Sequence, residues 1–418
     1  MTEPATSLDN LPLAASAHRA LMRFADLTGI ASSQLSGAGL LYERALMLGL
    51  TPNANASPNG SCHLIPCRDA MLAVNLPRST DWELVPAWLG PWQENIEVAA
   101  DDWTTLRKCC LPITAEALLT QAHVLGLAVA RCDNVPAAPL QPFTTKHFTP
   151  ESTSASQARN APLVVDLSSL WAGPLCSHLL QQAGCRVIKV EGTRRHDGAR
   201  IGSPDFYQLL NQGKESITLD FQSADDIQRL KQLISYADIV IEGSRPRALR
   251  NLGILAEQQV RLRPGKIWIS ITGYGRQNQE GDRIGFGDDA AAAAGLSHIM
   301  HEATGTYQIV GDAIADPLTG IHAALNAWES YRTGGNDLIA ISLCDTVSFC
   351  LGQELNSNRE QVLASCRLWQ QQGHQLNRLF THGPRKANAE CASPGQHNAA
   401  IFAELDLFAG TFHQQHCP

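Results

Sequence analysis

Residues 163–190 read LVVDLSSLWAGPLCSHLLQQAGCRVIKV, and the fold follows from how this stretch is divided. An apolar strand over Leu163–Leu167 is followed by a short polar turn, a helix opened by Gly173–Pro174, and a second apolar strand over Val187–Val190. Proline suits the first turn of a helix, because its missing N–H would have had no partner there. The unit is therefore strand, helix, strand, and two strands joined in this way lie parallel.

Working towards the C-terminus, the same alternation continues. Further apolar strands are expected at Ile217–Phe221, Ile239–Ile241, Ile267–Ile271 and Leu338–Leu343, with helical spacing at Asp225–Tyr236 and Thr319–Tyr331. Strands that are apolar throughout are buried on both faces, so the expected fold is α/β: a Rossmann-like, mostly parallel open sheet forming a large domain. Ligands of such sheets lie at the C-terminal ends of the strands. The alanine run Ala290–Ala294 reads as a helix packed closely on the sheet.

Towards the N-terminus the pattern changes. Residues 139–160 (PLQPFTTKHFTPESTSASQARN) lack apolar periodicity and mark a linker. Residues 1–138 then form a smaller α+β domain, 161–350 the large domain, and 351–418 a C-terminal segment returning to the core. A chain of 418 residues exceeds one ordinary core of roughly 100–200 residues, which agrees with two domains.

Composition narrows the function. A net charge of −8 repels nucleic acid and anionic membranes, so any phosphate must be held by a local pocket. The run Met1–Asn10 lacks the basic start and apolar stretch of a secretory signal, and no uncharged apolar run approaches the ~20 residues of a membrane span. A cytoplasmic protein is expected, and the twelve scattered cysteines, none in a C-x-x-C pair, fit a reducing compartment. The tail His413-x-x-His416-Cys417 has no second cluster to complete a zinc site, so no metal is expected.

The polar groups placed after the strands carry the remaining information. In Asp166-Leu-Ser-Ser-Leu-Trp-Ala-Gly-Pro174 the helix start offers free N–H groups to a phosphate, although the same spacing suits a tight turn with no ligand. Arg194, Arg195 and Arg200 follow the second strand, Lys214 precedes the third, and Arg245, Arg247 and Arg250 follow the fourth. Interleaved acids make a solvated mixed-charge surface the alternative reading. Asp316, in Gly311-Asp-Ala-Ile-Ala-Asp-Pro-Leu-Thr-Gly320, reads as a helix N-cap with Pro317 at the first helical position. A helix N-terminus also keeps a carboxylate ionised, as a nucleophile requires. Cap and nucleophile both stand at this point, with Asp312, Asp288 and Asp289 as rival acids.

Taken in order, PLVVDLSSLWAGPLCSHLL, AGCRVIKVEG with HDGAR, NQGKESITLD, ADIVIEGSRPRALRNLGI, SITGYG, GFGDD, VGDAIADPLTG and TGGNDLIAISLCD resemble the CaiB/BaiF family, the family III CoA-transferases. The resemblance implies a transferase that moves CoA between an acyl-CoA thioester and a carboxylic acid, both small-molecule partners, with no metal and as a homodimer. It implies that Asp316 is the nucleophile and forms an aspartyl–acyl anhydride, which conserves thioester energy. It places CoA near Trp171, Ala172, Arg200, Lys214, Leu219, Asp220, Gly243, Ser244 and Arg245.

Against the family's pattern, Asn251, Gly192 and Gln222 stand where basic residues are frequent, and Arg250, Arg194 and Arg195 are the neighbours available to replace them. Phe286 stands where the family's racemases carry histidine. The family's small domain has its counterpart here at the front of the chain, where Asn55–Gly60 reads as a loop over the site or as an ordinary turn. An isomerase or racemase on the same scaffold is one alternative, and a CoA-binding protein without transferase activity is the other.

Overall fold

The computed structural model describes residues 10–31, 36–51, 53–93, 97–137, 139–151, 161–277, 281–373, 376 and 383–415. His416 and Cys417 of the tail, residues 1–9 and residues 152–160 of the expected linker lie outside the described residues.

Two sheets organise the described residues. The small antiparallel sheet has the order β1-β2-β3, from strands β1 (Cys62–Pro66), β2 (Met71–Asn75) and β3 (Ala128–Arg131). The large sheet is built from β4 (Phe143–His147), β5 (Leu163–Leu167), β6 (Arg186–Gly192), β7 (Glu215–Leu219), β8 (Ile239–Glu242), β9 (Ile267–Thr272) and β10 (Asp337–Ser342). Its order is β4-β10-β9-β8-β5-β6-β7, with every neighbour parallel except β4, which runs antiparallel to β10. Alternate residues of each strand serve opposite cores. Val164 packs on one face while Leu163 and Val165 pack on the other. Chain order reverses at β5, which lies between β6 and β8, so the crevice beyond the C-terminal ends of β5 and β8 is the place such a sheet offers a ligand.

The helices that pack around this crevice and its supporting core include α1 (Ala14–Thr28), α2 (Gly37–Met47), α3 (Ala172–Gln182), α4 (Gly287–Ala293), α5 (Leu296–Thr304), α6 (Ala315–Arg332) and α7 (Leu343–Gln372). The alanine run forms most of α4, whose Ala292 meets Cys62, Leu64 and Ala73 of the small sheet. Ala lets the two units approach closely. The turn Asn55–Gly60 feeds into β1, pairing Ala56 with His63.

The first two helices pack on the large sheet's core, not on the small sheet. Leu21 and Phe24 of α1 and Leu40, Leu41 and Tyr42 of α2 share one apolar cluster with Ile321 of α6 and Val347 of α7. Ser16 of α1 donates through its N–H (2.9 Å) and hydroxyl (2.7 Å) to Glu354 of α7, and Trp328 Nε1 of α6 donates to the Leu27 carbonyl at 3.2 Å. The small unit's own core, including Val74, Trp88, Leu106 and Leu118, comes from residues after α2. The segment expected as linker also contributes to the sheet, as its edge strand β4. No helix among the described residues is long and apolar enough to cross a membrane.

Candidate functional site at the sheet's switch point

The chain leaves β5 through Leu170, at φ 69°, and starts α3 beneath a tight contact: a Cβ on Gly173 would sit 2.0 Å from Ser168 Oγ. Only glycine allows the helix to begin that close to the strand end. Ala172, its first residue, presents its backbone N–H to the carboxylate of Asp316 on α6. From the third side, α4 begins at Gly287, where a Cβ would lie 2.2 Å from Asp316 Oδ2 and 2.4 Å from the Ala313 carbonyl oxygen. Three helices thus begin around one carboxylate. Gly287→Ala is therefore expected to displace Asp316 and cost roughly 1–3 kcal/mol by overpacking. Thermal melts and any activity assayed beside them check this, and an unchanged melting temperature would contradict the contact.

Asp316 is not the helix cap that its sequence suggested. The cap position belongs to Ile314, no side chain caps the helix, and Asp316 lies inside the first turn behind Ala313 at φ 47°. Nor does the helix start keep it fully ionised. Burial pushes the Asp316 carboxyl up to about 7, against the opposing charge of Arg44 and the N–H of Ala172.

The rival acids have other work. Asp312 is fully buried and receives Arg44 Nε and Nη2, each at 2.7 Å. Asp289 accepts from Tyr274 Oη at 2.6 Å, from Asn75 Nδ2 at 2.9 Å and from the Phe286 N–H at 2.9 Å, which joins β2 to α4. Asp288 accepts the Ala313 N–H at 2.7 Å and holds the turn before α6; burial and then the Asp312 charge push it up to about 8. All three are buried, whereas Asp316 is half-buried as a residue, with its carboxyl group enclosed.

Arg44 was not singled out from the sequence. It reaches in from α2, with its guanidinium carbon 4.6 Å from the centroid of the Trp171 ring. Trp171 is itself buried and meets Phe206 edge-on. Nothing in LYERALM marks this arginine, since a charged residue on a helix usually faces water.

The structure divides the expected CoA residues into groups. Trp171 and Ala172 follow the C-terminal end of β5, and Gly243, Ser244 and Arg245 follow that of its neighbour β8, where a Cβ on Gly243 would stand 3.0 Å from Ser168 Cβ. Arg245 is half-buried, and its pKa is lowered by burial and then by Arg247, Arg78 and Arg195, against Asp282. Arginines from the loops after β6 and β8 and from the small unit thus gather there. Arg78 was missed because it lies in the small unit, ion-paired to Asp81 at 2.8 Å, with no motif around it.

Two expected contacts are absorbed by the fold. Lys214 is buried, and its ammonium donates to Ser177 Oγ (2.7 Å), the Pro174 carbonyl (3.0 Å) and Asn211 Oδ1 (3.0 Å), with Asp166 at 3.4 Å. It neutralises a buried acid and has no free face for a phosphate. Arg200 grips Glu191 at 2.6 Å, lies over the Tyr207 ring and donates to the Ala392 carbonyl at 3.3 Å. Leu219 is buried at the end of β7, while exposed Arg194 reaches Asp220 only at 3.4 Å, towards the sheet's other edge. Arg250, exposed, lines a separate cavity.

Comparison with known proteins gives this geometry a family. The pattern of CoA-transferase family III matches residues 162–384. The chain is 32% identical over 193 residues to an acyl-CoA transferase of Fusarium pseudograminearum, covering 42% of this chain and 42% of that protein. It is 30% identical over 195 residues to the succinyl-CoA–D-citramalate CoA-transferase of Chloroflexus aurantiacus, covering 44% and 48%. With the human succinyl-CoA:glutarate CoA-transferase it shares 31% over 199 residues, 45% of each. The chain spans about half the length of the curated relatives it matches. Because the matched segment holds β5 to β10, the switch-point crevice and Asp316 in more than half of the sequence, the chain belongs to CoA-transferase family III.

Proposed function

We propose that the chain exchanges CoA between an acyl-CoA thioester and a carboxylic acid, with Asp316 as the acyl carrier. The observation that carries this reading is the partial exposure of Asp316 among three buried acids at the sheet's switch point. An Asp316 oxygen attacks the thioester carbonyl, the C–S bond breaks, and CoA leaves as thiolate with an aspartyl–acyl anhydride formed. The thiolate then attacks the aspartyl carbonyl, which releases the first acid and stores CoA on Asp316 as a thioester. An incoming carboxylate reverses the sequence and departs as the new CoA ester. Negative charge developing in these steps lies beside the Ala172 N–H and the start of α3, a position that favours it. Arg245, Arg195 and Arg78 are the cations available to the CoA phosphates.

Relatives named for succinyl-CoA, glutarate and citramalate suggest the first substrates to try. Purified protein incubated with succinyl-CoA and isotopically labelled glutarate or citramalate is expected to yield a labelled CoA ester without net hydrolysis. Binding of CoA with no transfer to any acid in a wider panel would refute the reading and leave a CoA-binding protein.

A further inference from the structure

We propose that the cavity between the β4–β10 edge and the helix following β8 is an anion site for a phosphate group, apart from the crevice at Asp316. The cavity holds about 470 Å³ and is lined by Lys146, Arg247, Arg250 and Arg276 against Glu257 and Asp282. Among the described residues that line it, four cations face two acids, with Arg247 paired to Asp282 at 3.4 Å, a local excess of positive charge on a chain whose net charge is −8. Such an excess in a concave wall draws an anion.

Arg276 makes the cavity a built site. Its side chain is only 6% exposed, and its Nε and Nη1 have no hydrogen-bond partner among the described residues. The Nη2 reaches Glu257 at 3.4 Å, a long contact to an acid that is itself 36% exposed. Burying a guanidinium with two of its three nitrogens unmatched is costly unless something else supplies the acceptors. Glu242 is a buried acid whose charge Arg276 favours, but no hydrogen bond joins the two among the described residues. Its Oε2 takes the Trp268 indole N–H at 2.7 Å and its Oε1 has no hydrogen-bond partner among the described residues, while burial raises its pKa against the Arg276 charge. The missing acceptors are those of a small oxyanion, and a phosphate carries enough oxygens to meet Arg276 and the exposed Arg250 together.

One arm of this inference rests on the proposed function. The phosphate has two possible sources, the ribose phosphate of CoA, since Arg247 lies two residues beyond Arg245, or a free anion in solution. Titration calorimetry with inorganic phosphate, CoA and dephospho-CoA distinguishes them. Wild-type protein is expected to bind inorganic phosphate saturably, and Arg276→Gln and Arg250→Gln are each expected to weaken it about tenfold. Arg359→Gln, an exposed charge paired with Glu302, should leave it unchanged. If the two pocket variants also lose affinity for CoA but not for dephospho-CoA, the source is the ribose phosphate. If CoA binding is untouched while phosphate binding falls, the site takes a free anion. Because Arg250 is exposed, its variant reads the site even if Arg276→Gln fails to fold. Wild-type phosphate affinity in Arg250→Gln, or no saturable phosphate binding in the wild type, overturns the proposal, and neither result bears on transfer at Asp316.

Discussion

Asp316→Asn is expected to reduce CoA exchange by about four orders of magnitude or more, since an amide cannot form the anhydride. The fold should survive, because asparagine fills the same space and burial already holds much of the aspartate near its neutral form, with a pKa of about 7. For the same reason, the wild-type rate should climb as pH rises through about 7 and level off above it. Stability should move the other way. Asp316 and Asp288 have folded pKa values of about 7 and about 8, above the unfolded value of 3.8, so the folded state binds the extra protons. Their contribution is fully present below pH ~4 and is lost as pH rises through the folded values. Melting temperature should therefore fall between about pH 5 and 8.5, and Asp316→Asn should flatten the lower part of that slope. Hydroxylamine added with acyl-CoA should leave a hydroxamate on Asp316 and none on Asp288, Asp289 or Asp312, read by peptide mass spectrometry. Wild-type exchange in the asparagine variant would end the mechanism.

Arg44→Met is the second large effect expected. It leaves Asp312 buried and unpaired, and breaking a buried pair from one side costs about 3–5 kcal/mol. Removing both partners, as in Arg44→Met with Asp312→Leu, should recover more than half of that loss, because the double variant buries no lone charge. Urea unfolding of the two single variants and the double variant measures the coupling. A loss below about 1 kcal/mol in Arg44→Met would mean that the pair is not holding α2 to the turn before α6. Arg44 also favours ionised Asp316, so the rising limb of activity in Arg44→Met should shift to higher pH.

The central strands were legible because each is buried on both faces and must be apolar along its length. Leu163–Leu167 was read to the residue, and Ile239–Glu242 differed by one. Edge strand β4 (FTTKH) was not legible, since four of its five residues are exposed and only pairing with β10 makes it a strand. Acid, proline and helix standing together made Asp316 a candidate in the sequence, and the family resemblance chose between cap and nucleophile, but its surroundings come from Ala172 and Gly287, more than 25 residues away. Lys214 shows a different limit. A lysine just ahead of a strand looks the same in sequence whether it faces a ligand or a buried Asp166. Arg44 and Arg78 could not be placed at all, because both precede the segment that carries the family pattern.

The packing of α1 on α6 and α7 also sets a timetable for folding. Ser16 meets Glu354 across 338 residues, Leu27 meets Trp328 across 301, and Arg44 meets Asp312 across 268. Synthesis makes α1 and α2 long before α6 and α7, whose surfaces bury Leu21, Phe24 and Leu41. Loops that long are entropically slow to close, so the early helices wait with their apolar faces uncovered. For most of its time on the ribosome, the growing chain is thus a candidate for aggregation or for chaperone binding.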